Sequence, residues 1–423
     1  MLDALRNALR ISDLRRKLLY TAALLVVFRI GSFVPVPGVD AIALAESLDI
    51  GGGNIFGFLN LFTGGALGRF TIFAMGVNPY ITASIILQLL TVVIPRLEEL
   101  AKEGVEGRKK IQQYTRYGTV VLGLIQAYGI TVLARNSNVV TDPTFFNLLL
   151  IVITLTAGTS FLMWLGEKIT EHGIGNGISL IIFAGIVAEF PVGIIQTFQT
   201  VGEGGISIFS LLVLAVLFVV IVAAVVMVQE GQRRIPVQYA KRVVGRRMYG
   251  GQSTHIPLRV NNAGVIPVIF ASSVLTFPLT LAQFIPSIAP AITRWFGIGS
   301  VGYVVAYAIL VIFFTYFYTA VTFNPVEVAN NMRKYGGFIP GLRPGRSTSE
   351  YLDRVLTRLT LAGAIFLAII AILPYLMSGI TRIPMTFLFF GGTSILIVVG
   401  VALDTMKQIE AHLLMRHYEG FLK

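Results

Sequence analysis

The chain has 423 residues, of which 55% are hydrophobic and 13% charged, with a mean hydropathy of +0.78. Soluble domains carry roughly 25% charged residues, so the composition excludes an ordinary soluble fold and identifies a polytopic membrane protein. No cysteine is present, which removes disulfide and thiolate chemistry, and the net charge of +12 reads first as topology, because Lys and Arg gather in cytoplasmic loops.

The N-terminal stretch Leu2 to Leu19 reads as an interfacial amphipathic helix, with Arg6, Arg10, Arg15, Arg16 and Lys17 on its polar side. No small-residue cleavage site follows the next apolar run. Pro35, Pro37 and Gly38 end it in a turn-rich loop, so it is read as a first span and not as a cleavable signal. Ten spans are expected, at about 18–34, 71–94, 113–133, 145–166, 177–195, 208–229, 261–283, 302–323, 355–377 and 386–404. Between the first two lies "IFGFLNLFTGGALGRF" (55–70), an apolar stub far shorter than the roughly 20 residues a span needs, broken at Gly64, Gly65 and Gly68. By itself it reads as a re-entrant or interfacial piece. Gly and Pro recur in or beside several spans, as at Gly76 and Pro79, Gly118 and Gly123, and Gly264 and Pro267. They fit either close packing through small residues or helices that must bend and part.

Basic residues alternate between the loops. Arg108, Lys109 and Lys110 follow span two, Lys241, Arg242, Arg246 and Arg247 follow span six, and Arg333, Lys334, Arg343 and Arg346 follow span eight. The opposite loops hold little beyond Arg69, Arg135, Arg294 and Arg382, so both termini are placed in the cytoplasm. A division into five plus five spans of inverted topology is possible, although no residue-level repeat is visible. The loops 231–257 and 324–348 are long and basic. They read either as topogenic charge or as docking surfaces for an anionic partner, with Arg343 held outward between two Pro-Gly elements.

Catalytic chemistry is not legible. His172, His255, His412 and His417 fall in loops or the tail without further metal ligands. "GIGNG" (173–177) has no preceding strand and no following Lys-Ser/Thr pair, so it reads as the loop that starts span five. Glu167, Glu171, Glu189, Glu230, Glu327 and Asp404 sit in loops or at span ends, and Arg29 is the main charge within a span. A coupled carrier would keep an ionisable group at mid-membrane; the apolar span centres favour an apolar conduit instead.

Nine strings in order, "FRIGSFVPVPGVD", "FLNLFTGGALGRF", "NPYITASIILQLLTVV", "EGRKKIQQYTRYGT", "FLMWLGEKITEHGIGNGISLIIFAGIV", "GQRRIPVQYAKR", "QSTHIPLRVNNAGVIPVIFASS", "FIPGLRPG" and "GGTSILIVV", resemble the SecY family, the protein-conducting channel of the bacterial Sec translocon. The resemblance implies an all-α polytopic protein, ten transmembrane helices in two inverted five-helix halves around an hourglass pore. It divides the chain into 1–17 (cytoplasmic amphipathic helix), 18–195 (N-terminal half), 196–230 (outer loop and span six), 231–258 (basic loop), 259–404 (remaining spans, with a basic loop at about 324–354) and 405–423 (cytoplasmic tail). It implies a pore ring at Val77, Ile81, Ile178, Ile182, Ile269 and Ile397. The short stub becomes a re-entrant plug helix at about 55–67, carried by Ile55, Phe56, Phe58, Leu59, Asn60, Leu61 and Phe62, with Gly64, Gly65 and Gly68 as its hinge.

The same resemblance implies a lateral gate between spans two and three and spans seven and eight, with Gln88 and Asn262 as gate contacts. Lys241, Arg242, Arg246, Arg247 and Arg343 would dock the SecA motor or the ribosome, including its ribosomal RNA. SecE and SecG are the implied small membrane partners, unfolded preproteins and signal peptides the implied cargo, and the bacterial cytoplasmic membrane the implied location. No cofactor, metal or enzymatic activity is expected. The rival readings are an ion- or solute-coupled inverted-repeat carrier, which needs a midplane ionisable site, and a membrane-embedded enzyme, which needs a catalytic set.

Overall fold

In hydrocarbon every backbone polar group must be satisfied within the protein, which for these apolar runs means helix. The computed structural model describes residues 11–47, 55–202, 208–239, 242–244, 247–249, 253–284, 289–297, 299–381 and 392–420. The first half contains α1 (Ser12–Gly31), α2 (Ala41–Ser47), α3 (Ile55–Phe62), α4 (Asn78–Val93), α5 (Pro95–Lys102), α6 (Val105–Asn136), α7 (Phe145–His172) and α8 (Gly177–Gly202). The boundary expected at residue 17 falls inside α1, because Arg15, Arg16 and Lys17 are good helix formers and nothing interrupts them. The span expected from residue 71 becomes helical only at Asn78. Residues 64–77 run as turns, and Pro79 in the first turn suits a helix start. Ile94 is extended (φ −99°, ψ 112°), as a residue before proline prefers, and α4 and α5 meet there at 100°.

The second half contains α9 (Ile208–Glu230), α10 (Ile266–Phe284), α11 (Ala289–Phe296), α12 (Val301–Thr322), α13 (Pro325–Lys334), α14 (Arg346–Thr381) and α15 (Thr393–Gly420). The expected tail at 405–423 is therefore mostly a continuation of the last helix. Among the described residues six helices, α6, α7, α8, α9, α12 and α14, are long and apolar enough to cross a membrane, and the bent pair α4/α5 supplies a seventh if it is one span. Arg15, Arg16, Lys17 and Arg29 dilute α1, and Asp404, Lys407 and Glu410 dilute α15.

The loop expected at 231–258 is largely strand. β1 (Gln232–Tyr239) pairs antiparallel with β4 (Ser253–Arg259), Ile235 opposite Ile256, and β5 (Gly337–Phe338) adds to its far end at Gln238 and Tyr239. Between them β2 (Arg242–Val244) and β3 (Arg247–Tyr249) form a small separate ribbon. Pro236 is tolerated because β5 does not reach it, and Pro257 because β4 is an edge strand. Ile235, Val237 and Leu258 alternate inward onto Met332, Ile339, Leu352 and Val355, which gives this appendage its own core. The loop expected at about 324–354 likewise holds α13 and β5.

Within the first half α4, α6, α7 and α8 pack in sequence and α1 packs on α7; within the second, α10, α12 and α14 pack in sequence and α9 packs on α15. The halves meet on two sides, α10 against α4 and α6, and α15 against α8. Between those two contacts runs the largest core cluster, which holds Val77, Ile81, Ile182, Ile269 and Ile397.

Candidate functional site

Val77 caps the start of α4 and Ile81 sits one turn on, its N–H donating to the Val77 carbonyl at 3.0 Å, so both side chains share one helix face. Ile182 on α8 and Ile269 on α10 meet them. These four residues line one small cavity with Leu59 and Phe62 of α3, together with Thr63, Asn78 and the α10 hydroxyls Ser272, Ser273 and Thr276. The space left for water is ≈ 10 Å³, about one water molecule at most. Ser272 and Ser273 Oγ both donate to the Ile269 carbonyl (2.8 and 2.9 Å), and Thr276 Oγ1 donates to that of Ser272 (2.8 Å). Their polar demand is thus met within the helix, and the wall they add asks nothing of the pore. Ile178 and Ile397 belong to the same core but do not line this cavity. Ile397 is fully buried, and Ile178 lies against Gly166 of α7, where a Cβ would come within 2.5 Å of its Cδ1.

The residues expected to form the plug lie on α3 and are held from both sides. Leu61 is 5% exposed within the central core, while Phe56 and Leu59 pack on an outer cluster around Val36, Leu44, Phe70 and Met75. An isolated helix of eight residues has no stability of its own, so its tertiary contacts keep it formed. Behind it the chain turns at Gly64 (φ +67°) and Gly65 (φ +79°). Gly64 approaches α8 so closely that a Cβ would lie 3.0 Å from the Cα of Gly185. Gly68 differs from them: its backbone stays out of the left-handed region, and its N–H donates to Asn60 Oδ1 at 2.7 Å. Arg29 Nη1 donates to the Gly64 carbonyl at 2.8 Å. Arg69 faces Glu189 of α8 at 3.7 Å, and both guanidiniums lie over the Phe33 ring, at 4.8 and 4.5 Å from its centre. The charges that seemed isolated at span ends thus converge on the plug turn, a grouping that no local signal announced.

On the side of the basic loops a second cavity of ≈ 430 Å³ opens, walled by Asn176, Ser179, Gln229, Asn261, Asn262 and Gln408 among others. "GIGNG" is indeed the loop that starts α8, with Asn176 Oδ1 accepting from the N–H groups of Ile178 and Ser179 (3.1 and 3.2 Å). Asn262, expected on a gate helix, precedes the start of α10 and lines this cavity instead, because the chain begins the helix only after the turn at Gly264. Gln88 is on α4, where its Nε2 donates to Ser84 Oγ at 3.3 Å. Of the expected docking residues, Arg343 is exposed on a turn between α13 and α14, Arg242 and Arg247 sit on the β2–β3 ribbon, and Lys241 and Arg246 lie outside the described residues. The first ten residues of the N-terminal segment also lie outside them. Among the described residues no group of three or more His, Cys, Asp or Glu is placed to hold a metal ion.

A family model described as SecY matches residues 71–406 of this chain. A curated relative, the protein translocase subunit SecY of Halalkalibacterium halodurans, is 51% identical over 437 residues and covers 100% of both chains. Among solved structures, one reported as the plug domain of the SecY protein stabilizing the closed state of the translocation channel superposes with a TM-score of 0.64 at 21% identity, over 94% of this chain and 92% of that one. Sec61 in the canine ribosome-channel complex from the endoplasmic reticulum superposes at 0.62, again at 21% identity, over 94% and 92%.

Proposed function

This chain belongs to the SecY family, and from that premise we propose that it is a protein-conducting channel, at rest in the structure, that passes unfolded polypeptides across the membrane and releases apolar segments sideways into lipid. The observation that carries the resting state is the ≈ 10 Å³ space between Leu59 and Phe62 on one side and Val77, Ile81, Ile182 and Ile269 on the other. Aliphatic walls resist wetting and ion passage. They also close around any passing sequence, because apolar contact is non-directional. A ring that must accept every unfolded chain gains nothing from a specific site, which explains span centres without charge.

The plug reading follows the same physics. A short helix packed through its apolar side chains, with the Arg29 bond to the Gly64 carbonyl behind it, is displaced by a chain that competes for the same apolar contacts. The lateral gate is the seam where α10 meets α4 and α6. A segment of about 20 apolar residues gains several kcal/mol on leaving it, since Leu, Ile, Phe and Val each contribute about 0.3–0.6 kcal/mol at mid-bilayer. Gln88 belongs to one wall of that seam, whereas Asn262 is better read as part of the cytoplasmic vestibule. The basic appendage, with Lys241, Arg242, Arg246, Arg247 and Arg343, docks SecA or the ribosome, and SecE and SecG are the membrane partners. The location is the bacterial cytoplasmic membrane with both termini inside.

Proteoliposomes containing the chain with SecE, supplied with SecA, ATP and an unfolded preprotein, test this reading. Protected preprotein is the expected result, and deletion of 56–64 should raise resting ion leak more than it lowers transport. A folded, SecE-paired chain that transports nothing, or a deletion with an unchanged seal, overturns the channel or the plug assignment respectively.

A further inference from the structure

Helix α8 carries a single charged residue, Glu189, which is 8% exposed. Burying a carboxylate is costly unless a cation answers it, so the position asks what the acid holds. One turn earlier on the same face stands Gly185, and both residues meet the turn behind α3. Gly185 receives the backbone of Gly64, so closely that a Cβ on either glycine would press on the other's main chain. Glu189 receives the next residue, where a Cβ on Gly65 would run into its Oε1. Beside it Arg69 Nη2 stands 3.7 Å from Oε1, too far for a hydrogen bond, and Oε1 and Arg69 Nη1 are each buried without a hydrogen-bond partner.

The segment that this face receives needs holding. Gly64 and Gly65 take left-handed backbone, and so does Phe70 (φ +42°), the residue after Arg69, where a bulky side chain is strained. Two like charges also meet there, since Arg29 and Arg69 lie over the one Phe33 ring and Arg29 donates to the Gly64 carbonyl. Glu189 faces this pair from α8, within electrostatic reach of both.

We propose that Glu189 is the latch of the plug, a positioning residue that acts through Arg69 and holds the strained turn 64–70 against α8 until a passing chain lifts it. This rests on the plug reading and deepens it. A pair at 3.7 Å, one partner nearly buried and the other partly open, holds by charge and not by hydrogen bonds. A bidentate, fully bonded pair would be harder to part. Coulomb attraction also falls off slowly with distance, unlike apolar contact, so the same pair draws the turn back to its seat once the chain has gone.

The chain has no cysteine, so Leu59→Cys supplies one thiol in the small aliphatic cavity, shielded while the plug is seated. Lipid nanodiscs holding the SecE-paired chain leave both faces open to a water-soluble maleimide. Glu189→Gln, which keeps the shape and removes the charge, should speed labelling of that thiol about two- to fivefold, the size of a partly exposed ion pair. Resting conductance in planar bilayers should rise in step. Glu189→Asp, which keeps the charge, should stay closer to the unaltered chain. Arg69→Gln should match Glu189→Gln, and the double variant should label no faster than either single one, because both remove the same interaction. A merely structural role for Glu189 makes the two effects multiply instead. Effects that multiply, Glu189→Asp behaving as Glu189→Gln, or Glu189→Gln labelling at the unaltered rate overturns the latch. The plug reading stands or falls separately, on the seal after deletion of 56–64.

Discussion

Two cavities of this protein, the small aliphatic one and the wide one beside the basic loops, are built on opposite principles. One leaves ≈ 10 Å³ between aliphatic side chains and a short helix, and its few hydroxyls are satisfied within their own helix. The other leaves ≈ 430 Å³ between amides such as Asn176, Asn262 and Gln408, the charged Arg259, Asp404 and Lys407, and apolar residues such as Val265 and Val401. The first has almost no room for water and presents aliphatic side chains; the second has room for many waters and presents amides, a hydroxyl and charged groups. A channel for many sequences is served by a constriction of aliphatic side chains, which is indifferent to its contents, and by a wide polar space beside it, which keeps an unfolded chain hydrated.

The contrast breaks most sharply if the dry cavity is made polar. Replacing Ile81 and Ile269 together by Asn should raise resting ion conductance about tenfold or more in planar bilayers, because a wetted constriction conducts; an unchanged leak would remove both residues from the seal. Gly64→Val comes next. At φ +67° and 3.0 Å from Gly185 it stores about 1–3 kcal/mol of strain in the seated plug, and the same recordings should show a leak several-fold above wild type. Arg29→Met removes one charge-assisted bond to the Gly64 carbonyl, worth about 1.5–3 kcal/mol before solvent screening is allowed for. Its leak should be smaller than that of Gly64→Val, and a larger one would show that the charged cluster, and not the glycine turn, seats the plug. The smallest effect belongs to the exterior. Arg343→Glu should weaken SecA or ribosome binding in co-sedimentation at low salt, with the difference fading near 1 M salt, where the screening length falls to about 3 Å. Binding that ignores both the substitution and the salt would return that turn to a purely topogenic role.

Much of the architecture was legible in one dimension. Hydropathy located the six helices that are long and apolar enough to cross a membrane among the described residues, the start of the span expected at 386–404 lies outside those residues, and the positions of Lys and Arg supplied an expected orientation. The short run at 55–70 was visible as too short to span. What failed locally failed for physical reasons. Helix α4 starts at Asn78 and not at residue 71, because a turn with Gly76 at φ +57° intervenes in an otherwise apolar run that hydropathy alone cannot divide. The strands β1 and β4 were hidden by arginines and prolines, although Ile235 and Val237 on β1, and Ile256 and Leu258 on β4, carry the period of two that a strand requires.

The sequence by itself determined the solvent each segment prefers, because transfer free energy is a property of side chains one at a time and sums along the chain. Only the tertiary structure decided which residues share a cavity. Val77, Ile81, Ile182 and Ile269 come from three helices, and Arg29, Arg69 and Glu189 from three separate segments around one glycine turn. Gln229 and Asn261 flank a strand pair before they reach the same wall. Aliphatic contact has no direction and so leaves no local mark, and an amide looks the same in sequence whether or not its bonds are met. Their meaning is set by what the fold brings beside them.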